Sequence, residues 1–158
     1  MGEVLEAPAP KPEFASVAAM LGGPQVLHHR LGTSLDAHAL LLRGLPGEAL
    51  RHLVGSFVTL QMSASLERAI GMSLRTYQRR RDAPAQPLSP EQSGRVFRFA
   101  EILAKATAVL GSRAEAELWL ERPATGLDQC RPLDLLATPA GTALVQDFLD
   151  RLEYGVYV

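Results

Sequence analysis

The sequence predicts an all-α fold, and three observations carry that reading. No segment sustains the apolar–polar alternation with β-branched enrichment that marks a strand. Helix punctuation recurs instead: Ser or Thr before apolar runs, Pro in first turns, Gly just past last turns. The apolar residues between those marks recur at spacings of 3 and 4, the period of one helix face. Apolar residues make up 47% and charged residues 21% of the 158, so a buried core is available and wholesale disorder is excluded.

The elements follow in chain order. Residues 1–12 read as an extended arm, because Ala7-Pro8-Ala9-Pro10-Lys11-Pro12 removes donors and blocks helix. Residues 14–21 form a short helix stopped by Gly22-Gly23-Pro24. Ser34 caps a helix over 35–43 that ends at Gly44. Pro46 suits the first turn of the next helix, whose apolar side is Leu50, Leu53 and Val54. Leu66 and Ile70, four apart, mark another short helix before Gly71. Ser73 caps its successor, with Leu74 and Tyr77 as the inward residues. Ser89-Pro90-Glu91-Gln92 is a capping box that opens a long helix to Leu110, with Gly111 as its stop. Val96, Phe99, Leu103, Ala106 and Leu110 line one face of it. Ser112 and Glu115 make a second capping box for a helix through Trp119 and Leu120. Pro123 and Gly126 mark a loop, and Pro132 opens a short helix with Leu133, Leu135 and Leu136. Thr138-Pro139 opens the last helix, with Leu144, Val145, Phe148, Leu149 and Leu152 inside. Gly155 ends it and leaves Val156-Tyr157-Val158 as a tail.

The formal net charge of −1 hides an asymmetry. Residues 61–110 hold 8 basic and 4 acidic residues, net +4; residues 111–158 hold 4 basic and 8 acidic, net −4. Two surfaces with different partners would produce that pattern, and so would a fluctuation among solvated helix faces. Four arginines, Arg75, Arg79, Arg80 and Arg81, fall within seven residues. They lie in a helix, glycine turn, helix layout whose second helix carries Ser73, Arg75, Thr76, Gln78, Arg79, Arg80 and Arg81. A helix of that kind can enter the major groove. Arg donates twice to guanine and Gln pairs with adenine. The other cations and hydroxyls hold phosphates, aided by Ser73 and the free amides of the helix N-terminus. Two residues depart from the usual layout: Glu67 stands where a small residue normally lets the helices cross, and Arg80 where an apolar one is usual. An ordinary helical hairpin with a solvated arginine face is the competing reading.

From about Gly44 onward the chain resembles the antitoxins of the Xre/MbcA/ParS family. The matching stretches begin with Arg43-Gly44-Leu45-Pro46 and the run from Gly71 to Arg81. Leu88-Ser89-Pro90-Glu91-Gln92-Ser93 with Arg95-Val96-Phe97-Arg98 comes next. Ala116-Glu117-Leu118-Trp119-Leu120, Pro123, Arg131-Pro132-Leu133-Asp134-Leu135-Leu136, Thr138-Pro139-Ala140-Gly141 and Leu152-Glu153-Tyr154-Gly155-Val156-Tyr157 complete the ordered set. The resemblance implies an Xre-like helix-turn-helix domain that represses its operon, followed by a small helical toxin-binding domain. On that basis residues 13–44 are N-terminal helices, 45–110 the DNA-binding region and 111–158 the toxin-binding domain. The partner it implies is a RES-domain toxin that consumes NAD or transfers ADP-ribose from it, its NAD pocket blocked by the antitoxin's C-terminal region. Carried onto this chain, the blocking residues are Asp150, Arg151, Glu153, Tyr154, Gly155, Val156 and Tyr157. Tyr154 and Tyr157 are aromatic anchors of the kind that dominate interfaces, and an acidic surface complements a pocket built for phosphates. The alternative is that Tyr154, Val156 and Tyr157 fold back onto the chain's own core.

Other functions find less support. The single cysteine, Cys130, excludes an internal disulfide and lacks a placed base. His28, His29, His38 and Asp36 do not fall at metal-ligand spacing, and no Gly-Lys-Ser/Thr follows the Gly-Gly-Pro turn. No catalytic set can be nominated, so a non-enzyme without cofactor is expected. No apolar run of membrane-spanning length and no signal peptide stand in the sequence, which makes the cytoplasm the expected compartment. A homodimer is expected, since helix-turn-helix proteins read paired half-sites. Two other functions remain open: a stand-alone dimeric helix-turn-helix repressor, and an adaptor with a degenerate helix-turn-helix.

Overall fold

Side-chain caps set most of the helix starts. The computed structural model describes residues 11–155 and folds them into ten α-helices and one 3-10 turn, with no strand among those residues. α1 spans Pro12–Met20 and begins two residues earlier than the sequence reading. Pro12 stands at its first position, where a missing N–H breaks no helix bond. α2, Pro24–Leu27, occupies what reads as a simple stop, because the Gly22-Gly23 bend is followed at once by a proline in a first turn. α3 spans Ser34–Arg43 and is capped by Thr33, not by Ser34. The Thr33 hydroxyl accepts from the Asp36 amide at 3.1 Å, and the Asp36 carboxylate accepts from the Thr33 amide at 3.1 Å. A capping box needs its acidic partner three residues on, and counting back from Asp36 selects Thr33. Burial works against that carboxylate, but its hydrogen bonds from Gly32 and Thr33 hold its pKa below the usual Asp value.

α4, Gly47–Gly55, starts after Pro46, which stands at the N-cap and not inside the first turn. The first amides of α4 are taken by a neighbouring segment: Gly47 donates to Gln86 at 2.9 Å and Glu48 to Pro84 at 3.0 Å. α5 (Ala64–Ile70) and α6 (Leu74–Asp82) follow, and α7 runs over Pro90–Leu110 as its capping box foretells, with Gly111 at its end. α8, Arg113–Leu120, is capped by Ser112 through the Glu115 amide at 3.1 Å; the return bond that would complete a box is not formed. A 3-10 turn at Thr125–Leu127, α9 (Pro132–Leu135) and α10 (Pro139–Glu153) complete the order.

α7 is the axis of the fold. Val96, Phe97, Phe99, Ala100, Ile102, Leu103 and Ala106 are all buried on it. A helix buried on so many sides must be covered on several, and α1, α3, α5, α8 and α10 all pack against it. Its 21 residues make a rod of about 30 Å. α6 sits further out, seated on α4 with Tyr77 buried. α10 lies between α7 and α9. α10 is therefore held directly by the central helix, whereas α6 is held by α4.

Candidate nucleic-acid and partner interfaces

The turn between α5 and α6 is built by Glu67 and Gly71. Gly71 takes the left-handed conformation, φ 74°, and its amide and that of Met72 donate to the Glu67 carbonyl at 2.8 and 3.0 Å. The Arg95 guanidinium lies over this turn and donates to the carbonyls of Arg68 and Ala69 at the end of α5. The Glu67 side chain then reaches across the turn and accepts from the Leu74 amide at 2.8 Å. A residue at odds with the usual small-residue rule is thus used locally, since its carboxylate meets the positive end of α6.

The second helix holds most of the predicted nucleic-acid residues, but not as one patch. Arg75, Gln78 and Arg79 are exposed on its outer side and make no ion pair or side-chain hydrogen bond among the described residues. Ser73 caps the helix, accepting from the Thr76 amide at 3.1 Å and donating to the Thr76 hydroxyl at 3.1 Å. Glu67 and Ser73 take the amides of Leu74 and Thr76, so this helix start keeps fewer free amides than the sequence suggests. Arg80 is half-buried, and its carbonyl lies against Gly47 at the start of α4. Arg81 packs over the Tyr77 ring at 5.9 Å and donates to Asp82 at 3.3 Å. Leu74 is a second correction: it is 41% exposed, not inward. Met72, just before the cap, is buried in its stead.

The C-terminal residues divide in the same way. The Lys105 ammonium on α7 donates to Asp150 and pairs with Glu153 at 3.0 Å, while the Gln146 amide donates to Asp150 at 3.2 Å. Burial works against the Lys105 charge, but the two carboxylates outweigh it and raise its pKa above the ordinary lysine value. Asp150 and Glu153 therefore tie α10 to α7. Arg151 and Tyr154 point outward, and Tyr154 is 77% exposed, so it does not fold back onto the core. Gly155, φ 67°, turns the chain out of the helix. Val156 and Tyr157 lie outside the described residues. Ala140, Leu144, Asp147, Arg151 and Tyr154 are exposed at spacings that put them on one side of α10, with Leu144 55% exposed. Leu144 thus faces outward, whereas Val145 and Leu149 fill the core. Trp119 and Phe148 stack at 5.9 Å against that core.

One chemical group joins segments 57 to 59 residues apart in the chain. Glu117 on α8 is fully buried, and its carboxylate accepts from the amides of Val58, Thr59 and Leu60, each at 2.9 Å. Arg113 stands 3.8 Å from that carboxylate and lies over the Phe57 ring at 6.0 Å, and burial lowers its pKa. The signal available in the sequence is an acidic residue set between Ala116 and Leu120, on the apolar face of the helix.

Among the described residues no group of three or more His, Cys, Asp or Glu side chains could hold a metal ion, and Cys130 is exposed and unpaired. A groove of about 410 Å³ between α7 and α10 is rimmed by Arg95 and Arg98, with Asp147 the one carboxylate in its lining. No helix of the described residues is long and apolar enough to cross a membrane.

Residues 36–101 match the antitoxin Xre-like helix-turn-helix domain, and residues 105–155 match the antitoxin Xre/MbcA/ParS C-terminal toxin-binding domain. Among curated relatives, the chain is similar to "Antitoxin Xre" of Yersinia enterocolitica, 35% identical over 95 residues, covering 60% of this chain and 64% of that one. It is also similar to proteins of that name from Pseudomonas putida and Photorhabdus laumondii. The first is 37% identical over 70 residues, 44% of each chain. The second is 29% identical over 90 residues, 56% of this chain and 60% of that one. The matched stretches thus span less than two thirds of each relative. With both domains present in tandem and meeting inside α7, the chain belongs to the Xre/MbcA/ParS family of antitoxins.

Proposed function

We propose that the chain neutralises a RES-domain toxin, one that consumes NAD or transfers ADP-ribose, by covering its active site. The observation that carries this reading is the exposed end of α10: Arg151 and Tyr154 project from the stretch that matches a toxin-binding domain. A large aromatic that its own core does not use is an anchor for another protein's pocket. Leu144 and Asp147 extend that face, whereas Asp150 and Glu153 tie its helix to α7 through Lys105. Residues 111–158 form the toxin-facing region in this reading, and Val156 and Tyr157 continue it.

The same chain binds operator DNA through residues 45–110 and so represses its own operon. Arg75, Gln78 and Arg79 meet base edges and phosphates, with Ser73, Thr76, Arg80 and Arg81 shaping the helix that presents them. Two copies read two half-sites, and exposed Leu35 and Leu42, seven apart on α3, are a face that a second copy can cover. The protein acts by binding, in the cytoplasm, and needs no cofactor. A stand-alone dimeric repressor explains α6 equally well but leaves the exposed end of α10 unused.

Co-expression of the full chain with the product of the neighbouring reading frame tests the proposal. The two should purify together, and deletion of residues 154–158 should release toxicity while operator binding persists. A truncated chain that still neutralises would place the block elsewhere. The double variant R75A/R79A should lower operator affinity and reduce the salt slope by about 0.9 per lost phosphate contact, with toxin binding intact.

A further inference from the structure

We infer that Leu74 reads the C5-methyl group of a thymine, and that it sets the chain's preference at one base pair of its operator. The inference rests on the DNA-binding reading above. Leu74 is the first residue of α6, and 41% of it is exposed although its neighbours Met72 and Tyr77 are buried. Apolar surface left in water at the tip of such a helix costs free energy unless a partner covers it. The first residues of a reading helix are the ones that meet base edges. In the major groove the one apolar feature is the thymine methyl, which distinguishes T·A from the other pairs by packing alone.

The local chemistry favours a base contact over a phosphate contact. The Glu67 carboxylate holds the Leu74 amide at 2.8 Å, and the Ser73 hydroxyl holds that of Thr76. The helix end that would ordinarily attract a phosphate is thus occupied by an anion, which repels one. The same bond fixes the Leu74 backbone, so the side chain reaches forward from a defined point. Gln78 lies four residues on, on the same exposed side of α6. Leu74 over a thymine methyl and Gln78 paired to an adenine edge would together favour A·T-rich steps, with the arginines supplying guanine and phosphate contacts.

The test uses the full chain and a randomised duplex library, then the selected duplex resynthesised with deoxyuridine for thymidine at each position in turn. That replacement removes a methyl group and keeps every hydrogen bond. For the parent chain one column should select thymine, and deoxyuridine there should weaken binding about fourfold, the value of one buried methylene. Leu74→Ala should flatten that column and lose the deoxyuridine effect, while Leu74→Met should retain both. Leu74 is exposed, so Leu74→Ala should melt within about 2 °C of the parent. An unchanged thymine column in Leu74→Ala, or a parent chain that selects no thymine, overturns the inference. A parent chain that binds no duplex with a salt-dependent affinity overturns the DNA-binding reading itself.

Discussion

Glu117→Gln should destabilise the fold sharply although it changes neither candidate interface. The Glu117 carboxylate is fully buried and accepts from three consecutive amides, with Val58 reaching both of its oxygens. Gln keeps one acceptor oxygen and loses the charge. Its NH2 group then faces the Val58 amide, donor against donor. Hydrogen bonds to a charged group contribute about 1.5–3 kcal/mol and neutral ones about 1 kcal/mol. Losing the charge on three bonds, about 0.5 kcal/mol or more each, and the acceptor on one, about 1 kcal/mol or more, therefore costs about 2.5 kcal/mol or more. In a chain of this size that lowers Tm by about 5 °C or more. Glu117→Ala also leaves the Leu60 amide buried without a partner and should cost about 4 kcal/mol or more. Thermal melts followed by circular dichroism measure the loss, and hydrogen exchange at the amides of 58–60 locates it. A Glu117→Gln chain that melts within about 1 °C of the parent, with those amides equally protected, would refute the reasoning.

Further outcomes follow from other contacts. Gly141→Ala places a methyl group 1.9 Å from the Leu135 carbonyl oxygen, a backbone atom that cannot swing aside. Denaturant melts should show a loss of about 3 kcal/mol or more. Lys105→Met leaves Asp150 and Glu153 side by side without their cation and should cost about 1–2 kcal/mol at neutral pH. Because that lysine's pKa is raised in the folded chain, its contribution is complete below about pH 10.5. It fades as pH rises through the folded value, so parent and variant should converge in alkaline melts. Asp134 behaves oppositely: the Arg131 guanidinium hydrogen-bonds its carboxylate and holds the pKa below the usual Asp value. Its contribution stands above about pH 3.8 and is lost as pH falls through the folded value, and Asp134→Asn should remove that part of the acid sensitivity. In binding assays Tyr154→Ala should weaken toxin affinity about 30-fold, as hot-spot aromatics do. Asp150→Asn should instead lower Tm more than affinity.

What could be read from the chain was what depends on neighbours in sequence. Ser89, Pro90 and Gln92 specify both the start and the phase of α7 within four residues, and the fold obeys them. Thr33 and Ser34 stand side by side, and either hydroxyl can cap; only the reach of Asp36 decides between them. The arginines of α6 were visible, but their roles were not. Tyr77, Asp82 and the start of α4 are what separate the engaged Arg81 and half-buried Arg80 from the outward Arg75 and Arg79. Leu74 lies three residues from Tyr77, so periodicity points it inward; that Met72, outside the helix, is buried and Leu74 is not has no signal in the period. The Glu117 clamp joins groups 57 to 59 residues apart, a distance at which local pattern carries no information. The resemblance groups Asp150 and Glu153 with Tyr154, but Lys105, on another helix, engages both carboxylates and leaves Tyr154 free of that contact.

The unbroken course of α7 bears on how such proteins can be recombined. One matched family region ends at residue 101 and the next begins at 105, both inside the same helix. A chimera joined at that seam would splice two half-helices and would have to keep the 3.6-residue phase so that Phe99, Leu103 and Ala106 still turn toward their own neighbours. An insertion of one residue there would rotate everything downstream by about 100°. Grafts that exchange specificity between homologues should therefore be cut before Ser89 or after Gly111, with the rod inherited whole from a single parent.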